Sequence, residues 1–170
     1  PSLVLAHGKR TLNKGFTDSV LGAPSPDRDA GDGYEDGGRA MCAAWIADDR
    51  RKAFLAHVGV GTVDQALLGV LPSKYQSLRL WGLADRVLII DEAHAYDAYM
   101  SREIETLLEF HAALGGSAII LSATLPAAQR QALTSAFARG IGAAPTTTTS
   151  NAYPLLTTVG ASATAAIPIA

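Results

Sequence analysis

Four short apolar runs, separated by stretches with helical period, constrain the fold of this chain more than any other feature. The runs are "SLVLA" at 2–6, "KAFLAHV" at 52–58, "VLII" at 87–90 and "AIIL" at 118–121. Each has the length of a strand and is bounded by polar or small residues. Because strands that are apolar throughout are buried on both faces, their alternation with helices predicts an α/β fold with a parallel sheet flanked by helices.

The segments between the runs show helical signals. The clearest is 97–114, "DAYMSREIETLLEFHAAL", which ends at Gly115-Gly116. Its apolar stripe consists of Met100, Ile104, Leu107, Leu108, His111 and Leu114. Thr62 and Gln65 have the spacing of a capping box before a helix that Pro72 closes, and a further helix is predicted from Pro126 to Gly140. The segment "YPLL" at 153–156 is a candidate for one more strand.

Composition narrows the class of protein. The chain has 170 residues, which suits one domain with a core, and a net charge of −2, so any nucleic-acid contact must be local. A single cysteine, Cys42, excludes an internal disulfide and a cysteine zinc site, and it suits a reducing compartment. With no signal-peptide pattern and no apolar run of about 18 residues, we expect a cytoplasmic location and no membrane contact.

The acids Asp91 and Glu92 follow directly after "VLII". In open parallel sheets, ligands bind outside the carboxyl ends of the strands. Hydrolysis of a nucleoside triphosphate needs one carboxylate for Mg²⁺ and another acid to orient or deprotonate the attacking water. Taken alone, this pattern also fits a strand that ends in solvated acids.

A second polar motif follows the next apolar run. In "LSATLP", Ser122 lies 31 residues after Asp91, and Thr124 follows it. If the two strands are neighbours, both hydroxyl groups come within hydrogen-bond reach of the tetrad "DEAH" at 91–94, where His94 is a partner. Ordinary capping of strand ends is the alternative role for Ser122 and Thr124.

The tetrad and the Ser-Ala-Thr motif together resemble those of the superfamily 2 helicases. In that family the tetrad belongs to the nucleotide site, and the Ser-Ala-Thr motif links its state to strand movement. The resemblance implies catalytic roles for Asp91, Glu92, His94, Ser122 and Thr124. It further implies that Asp91 and Glu92 bind ATP and that Asp91 holds Mg²⁺.

More of the chain resembles the helicases of type I CRISPR–Cas systems, in particular those of subtype I-E. The matching segments are "LAHGKRTLN", "VGVGTVDQALLGVLP", "GLADRVLIIDEAHAYDAYM", "GGSAIILSATLP" and "NAYPLL". This resemblance implies an ATP-dependent enzyme that an RNA-guided surveillance complex (Cascade) recruits to unwind and degrade foreign DNA. It also implies that His7, Gly8, Asn13, Gly61 and Thr62 contact single-stranded DNA, although Thr62 alone would be read as a helix cap.

In domain terms, the resemblance assigns 1–156 to most of the first RecA-like lobe. Within it, the Asp- and Gly-rich segment 24–38 is expected to be a mobile loop, and 157–170 a low-complexity tail or the start of a linker. The only Gly-Lys pair is Gly8-Lys9, which lacks the glycine of a phosphate-binding loop five residues earlier.

The family pattern places that phosphate-binding loop upstream of Pro1 and a required arginine in a second lobe. We therefore expect this chain alone to be inactive. Two alternatives stay open: another superfamily 2 member such as an RNA helicase, and a non-catalytic module that binds nucleic acid or protein.

Overall fold

The computed structural model describes residues 3–6, 50–145 and 147–169. Its strands are β1 (Leu3–Ala6), β2 (Val58–Gly61), β3 (Val87–Ile90), β4 (Ser117–Ile120), β5 (Leu155–Val159) and β6 (Thr164–Pro168). Its α-helices are α1 (Val63–Leu67), α2 (Gln76–Leu83), α3 (Ala98–Ala113) and α4 (Ala127–Gly140). Short 3₁₀ helices span Arg50–Leu55 and Ala93–Ala95.

The strand pairings confirm the predicted α/β class with parallel strands flanked by helices. β1 pairs with β2 and β3 pairs with β4, both in parallel, whereas β5 and β6 form an antiparallel pair. The described residues divide into two compact units. The first runs to Gly69 and includes Ser73–Gly82, and the second takes Val70–Pro72 and the chain from Leu83 onward.

In the first unit, the predicted strand at 52–58 is wrong. Residues Arg50–Leu55 form a 3₁₀ helix, and the strand is Val58–Gly61, which includes the glycines expected to end it. A short apolar run does not distinguish a strand from a helical turn by its period alone. Strand pairing sets the position of this strand, because Val58–Gly61 aligns residue by residue with Leu3–Ala6.

The helix at Thr62 forms without the predicted capping box. Thr62 has the extended backbone of an N-cap residue, but its side chain makes no capping hydrogen bond, and α1 ends at Leu67. Gln65 instead contacts Arg79, which lies on α2, a helix that was not predicted from the sequence. Arg79 Nη1 donates to the main-chain carbonyl of Gln65 at 3.2 Å and to its side-chain Oε1 at 3.5 Å. Arg79 is buried, and its guanidinium lies 6.0 Å from the centre of the Phe54 ring. A buried charge is costly unless polar groups pair with it, so Gln65 pairs with Arg79 and not with the N-terminus of α1.

The core of the second unit is built around α3, as the apolar stripe predicts. Asp97 caps the helix, its Oδ1 accepting from the Met100 amide at 2.8 Å. The buried residues of α3 are Ile104, Leu107, Leu108, His111 and Ala112. Leu107 and Leu108 are completely buried, and each such side chain contributes about 1.5–3 kcal/mol through removal from water. The helix packs against α4 and β4 and thereby supports the strands that carry the polar motifs.

The C-terminal residues form a hairpin. The predicted strand at 153–156 is found two residues later as β5, and the residues after it form β6, which pairs with β5 from Val159↔Thr164 to Leu155↔Pro168. The proposed boundary at 156 therefore falls inside a strand. The Thr- and Ala-rich composition concealed the hairpin, because antiparallel pairing rests on backbone hydrogen bonds that are independent of side-chain complexity.

Other sequence-based expectations lie outside the described residues. They are the DNA-contact candidates His7, Gly8 and Asn13 and the expected mobile loop at 24–38. Among the helices of the described ranges, none combines the length and the hydropathy that a membrane crossing requires.

Candidate active site

The two polar motifs leave the same edge of the β3–β4 pair. Ile90 at the end of β3 is in register with Ile120 at the end of β4, and the Leu121 amide donates to the Ile90 carbonyl at 2.8 Å. The tetrad and the Ser-Ala-Thr motif therefore start side by side, at the carboxyl ends of neighbouring parallel strands. This is the edge at which α/β sheets bind ligands.

Glu92 has a left-handed backbone conformation, with φ 55° and ψ 42°. For a residue with a β-carbon this conformation costs on the order of 1–2 kcal/mol, and it persists only where the surroundings enforce it. Two hydrogen bonds donated by main-chain amides hold this conformation. The Glu92 amide donates to Asp91 Oδ1 at 2.9 Å, and the Ala93 amide donates to the Leu121 carbonyl at 3.1 Å. These hydrogen bonds hold the sharp turn at Glu92.

His94 connects the tetrad to the Ser-Ala-Thr motif. Its Nδ1 lies 3.2 Å from Ser122 Oγ and 3.3 Å from Glu92 Oε2. Because a carboxylate only accepts hydrogen bonds, Nδ1 must carry a proton for the contact with Glu92 to be favourable. The structure therefore brings Glu92, His94 and Ser122 together, as expected for neighbouring strand ends.

Thr124 is placed differently from Ser122. It is exposed and lies four residues beyond the end of β4. Within the described part of the chain, the hydrogen bonds join the tetrad to Ser122 and not to Thr124. The predicted contact of both hydroxyl groups is thus seen for one of them.

Two further side chains hold the backbone of the tetrad, and sequence reasoning assigned a role to neither. Tyr96 Oη donates to the Asp91 carbonyl at 3.2 Å. Gln129, on α4, donates from Nε2 to the Ala93 carbonyl at 3.4 Å and to Ser101 Oγ at 3.2 Å. Tyr96 belongs to the "HAYD" extension, so the resemblance to the CRISPR helicases could have indicated that it has a role. Nothing in the sequence distinguishes Gln129 from any other glutamine near the start of a polar helix.

A cavity of about 1210 Å³ adjoins the Ser-Ala-Thr segment in the second unit. Residues after β4, the first turns of α4 and the edge of β5 line it, including Ser122, Thr124, Arg130 and Thr157. Neither acid of the tetrad is among the lining residues. The cavity therefore borders the candidate active site without containing its carboxylates.

The acids present a donor set that suits a hydrated cation. Asp91 and Glu92 are exposed; Asp91 Oδ1 accepts from the Glu92 amide, and Glu92 Oε2 lies 3.3 Å from His94 Nδ1. No group of three or more His, Cys, Asp or Glu side chains with the geometry of a metal site occurs in the described ranges. A single carboxylate with free coordination capacity fits Mg²⁺, which usually keeps several waters and is held by one or two carboxylates plus phosphate oxygens.

The remaining DNA-contact candidates lie in the first unit. Gly61 ends β2, and Thr62 follows it as the N-cap residue of α1; both are exposed. The tetrad belongs to the second unit.

Comparison with known proteins places this geometry in a family. No family model matches the chain. The CRISPR-associated endonuclease/helicase Cas3 of Thermus thermophilus is 46% identical over 136 residues, which cover 80% of this chain and 14% of that protein. The chain is a homologue of one segment of the Cas3 endonuclease/helicases. It therefore spans about a seventh of the length of this Cas3 relative.

Solved structures extend the match from sequence to fold. The crystal structure of T. fusca Cas3 with ATP is 32% identical, with a TM-score of 0.73, and covers 98% of this chain and 17% of that one. A chain of a CRISPR RNA-guided surveillance complex in a pre-nicking state is 29% identical, with a TM-score of 0.65, and covers 98% of this chain and 18% of that one. The described strands and helices therefore resemble those of one segment of the Cas3 structures.

Proposed function

We propose that this chain is part of the first RecA-like lobe of a Cas3-type helicase, which uses ATP to unwind foreign DNA for degradation in type I CRISPR interference. The cluster of Glu92, His94 and Ser122 at one sheet edge carries the proposal. The ATP complex of the T. fusca relative supports nucleotide binding. The related chain in a surveillance complex supports recruitment by Cascade.

The two acids divide the chemistry of hydrolysis. Asp91 would hold the Mg²⁺ that accompanies ATP, and the cation supplies charge neutralisation on the phosphates when it is bound. Glu92 orients the attacking water and accepts its proton, since its carboxylate is exposed and lies in a sharp turn at the strand end. A general base of this kind contributes about 10²–10⁴-fold to the rate.

His94 and Ser122 transmit the state of the site to the neighbouring strand. One Nδ1 proton faces two acceptors, so a change in the position of Glu92 alters the contact with Ser122. Thr124 would act beside Ser122 in the same motif, consistent with its place on the border of the cavity.

Contacts with single-stranded DNA are proposed for His7, Gly8, Asn13, Gly61 and Thr62. Exposure of Gly61 and Thr62 at the end of β2 supports access to a phosphate backbone. These contacts would be made by backbone and small polar groups, which position a strand without reading its sequence. That mode suits an enzyme that must move along any foreign DNA.

Unwinding by the full-length protein tests this function. We expect ATP- and Mg²⁺-dependent separation of a DNA duplex that carries a single-stranded tail, measured with a fluorophore and quencher on opposite strands. A matched RNA duplex with the same sequence is the control. Separation of the RNA duplex alone would favour the RNA helicase alternative. Absence of both strand separation and ATP hydrolysis would favour the non-catalytic module.

A further inference from the structure

We propose that Tyr96 and Gln129 form a carbonyl clamp that positions Glu92 for catalysis. The clamp is defined as the two side chains that donate to the Asp91 and Ala93 carbonyl groups, one on each side of Glu92. The inference rests on the proposed function, in which Glu92 is the base. Neither clamp residue belongs to the tetrad or to the Ser-Ala-Thr motif.

The need for a clamp follows from the backbone of Glu92. Its φ of 55° is a strained value for a residue with a β-carbon, and relaxation to the ordinary helical region would redirect the carboxylate. Such a relaxation must rotate the peptide groups on either side of its α-carbon. Anything that fixes those peptide groups therefore fixes the direction of the base.

Three consecutive peptide groups around Glu92 are held by hydrogen bonds. The group between Asp91 and Glu92 is held at its carbonyl by Tyr96 and at its amide by Asp91 Oδ1. The next group is held at the Ala93 amide by the Leu121 carbonyl. The third lies one residue further along, beyond the Ala93 α-carbon, and is held at the Ala93 carbonyl by Gln129, which limits rotation of the second group about that α-carbon.

Gln129 also links this turn to α3. The two hydrogens of its amide nitrogen serve two acceptors, the Ala93 carbonyl at 3.4 Å and Ser101 Oγ at 3.2 Å. Ala93 is buried and Ser101 lies in the first turn of α3, so the tetrad turn, α3 and α4 meet at one amide group. Gln129 is thus a positioning residue that acts on Glu92 through the backbone.

The test compares variants of the full-length protein in steady-state ATP hydrolysis with saturating single-stranded DNA. Gln129→Met keeps the length of the side chain and removes its polar group. Gln129→Glu keeps its shape but, when ionised, offers only acceptors. The matched control is Gln131→Met, two positions along α4, where the side chain bonds Ser135 Oγ and the Thr148 amide. Tyr96→Phe removes the other donor.

We expect kcat to fall about fivefold or more in Gln129→Met, Gln129→Glu and Tyr96→Phe, the size of one lost hydrogen bond felt in the transition state. The KM for ATP should stay at the wild-type value, and Gln131→Met, which also loses side-chain hydrogen bonds of α4, should keep the wild-type kcat. A purely structural role would instead lower the unfolding midpoint and leave kcat per folded molecule unchanged.

Parallel measurement of Glu92→Gln separates this inference from the proposed function. If Glu92→Gln is inactive and the Gln129 variants have wild-type kcat, the clamp is refuted and the function stands. If Glu92→Gln has wild-type turnover, the assignment of the base fails, and the clamp fails with it. A loss of kcat in Gln129→Met that is absent from Gln129→Glu would assign the effect to packing and also refute the clamp.

Discussion

At the scale of single residues, His94 occupies the decisive position. One ring nitrogen faces both the proposed base and the Ser-Ala-Thr motif, at 3.3 Å from Glu92 Oε2 and 3.2 Å from Ser122 Oγ. A single N–H group does not satisfy two acceptors fully at the same time. The contact with Ser122 should therefore strengthen when Glu92 turns to its water, which gives the site a direct link to the neighbouring strand.

A double-mutant cycle in the full-length protein tests this link. We expect His94→Ala and Ser122→Ala to be non-additive in DNA-stimulated ATP hydrolysis, with a coupling energy of about 0.5–1.5 kcal/mol, the net value of one hydrogen bond. The control cycle pairs His94→Ala with Thr124→Ala and should be additive within about 0.5 kcal/mol. Equal coupling in both cycles would contradict a specific contact between His94 and Ser122.

The residues of the tetrad were predictable because their signal is local: two acids directly follow a short apolar run. Ser122 was predictable for the same reason. Gln129 was not, since its partner Ala93 lies 36 residues earlier in the chain and the contact exists only once α4 packs beside the tetrad turn. A polar residue acting through a distant carbonyl group leaves no pattern in a single sequence.

At the scale of elements, α3 and α4 pack against each other, and Gln129 joins both helices to the tetrad turn. Gly140 at the end of α4 makes this approach possible, because a β-carbon there would lie against the Glu109 carbonyl oxygen and 2.7 Å from Ala112 Cβ. Arg139 and Glu109 join the same two helices, with Nη2 and Oε2 separated by 2.8 Å. Both groups are partly exposed, so close packing contributes more to the crossing than this ion pair.

Gly140→Ala should therefore destabilise the α3–α4 pair although alanine is the better helix former. Helix propensity favours alanine by about 1 kcal/mol, but the clash involves a carbonyl oxygen and a β-carbon that cannot rotate away, and overpacking costs about 1–3 kcal/mol. We expect faster hydrogen–deuterium exchange in α3 and α4, measured by mass spectrometry. Gly160→Ala, with its nearest neighbour at 3.7 Å, is the control and should leave exchange unchanged. Unchanged exchange in both variants would contradict the packing argument.

Long elements were predicted better than short ones. The bounds of α3 and α4 agree with the sequence within about one residue, because an apolar stripe and the Asp97 cap mark α3, and Pro126 and Gly140 mark α4. The segment 52–58 was assigned to the wrong element, since a short apolar run has no period that separates a strand from a 3₁₀ helix. The β5–β6 hairpin was missed beyond its first residues because its second strand is rich in alanine and carries little hydrophobic alternation.

At the scale of the whole molecule, the chain corresponds to a small share of its relatives' length. It spans 14% of the Thermus thermophilus relative and 17% of the T. fusca chain that was solved with ATP. The tetrad supplies carboxylates at a sheet edge, and the sequence contains no glycine-rich loop that ends in Gly-Lys-Ser or Gly-Lys-Thr. Activity should therefore be measured in the full-length protein, with substitutions in the tetrad and at the residues that contact it.

ATP turnover by the full-length Glu92→Gln variant tests the central claim most directly. Loss of the base should lower DNA-stimulated turnover by about 10²–10⁴-fold, while ATP binding persists, because Asp91 and the rest of the site are unchanged. Glu103→Gln, on α3 and outside the tetrad, is the matched control and should turn over ATP at the wild-type rate. Wild-type turnover by Glu92→Gln, with folding and DNA binding intact, would contradict the assignment of the tetrad as the hydrolytic site.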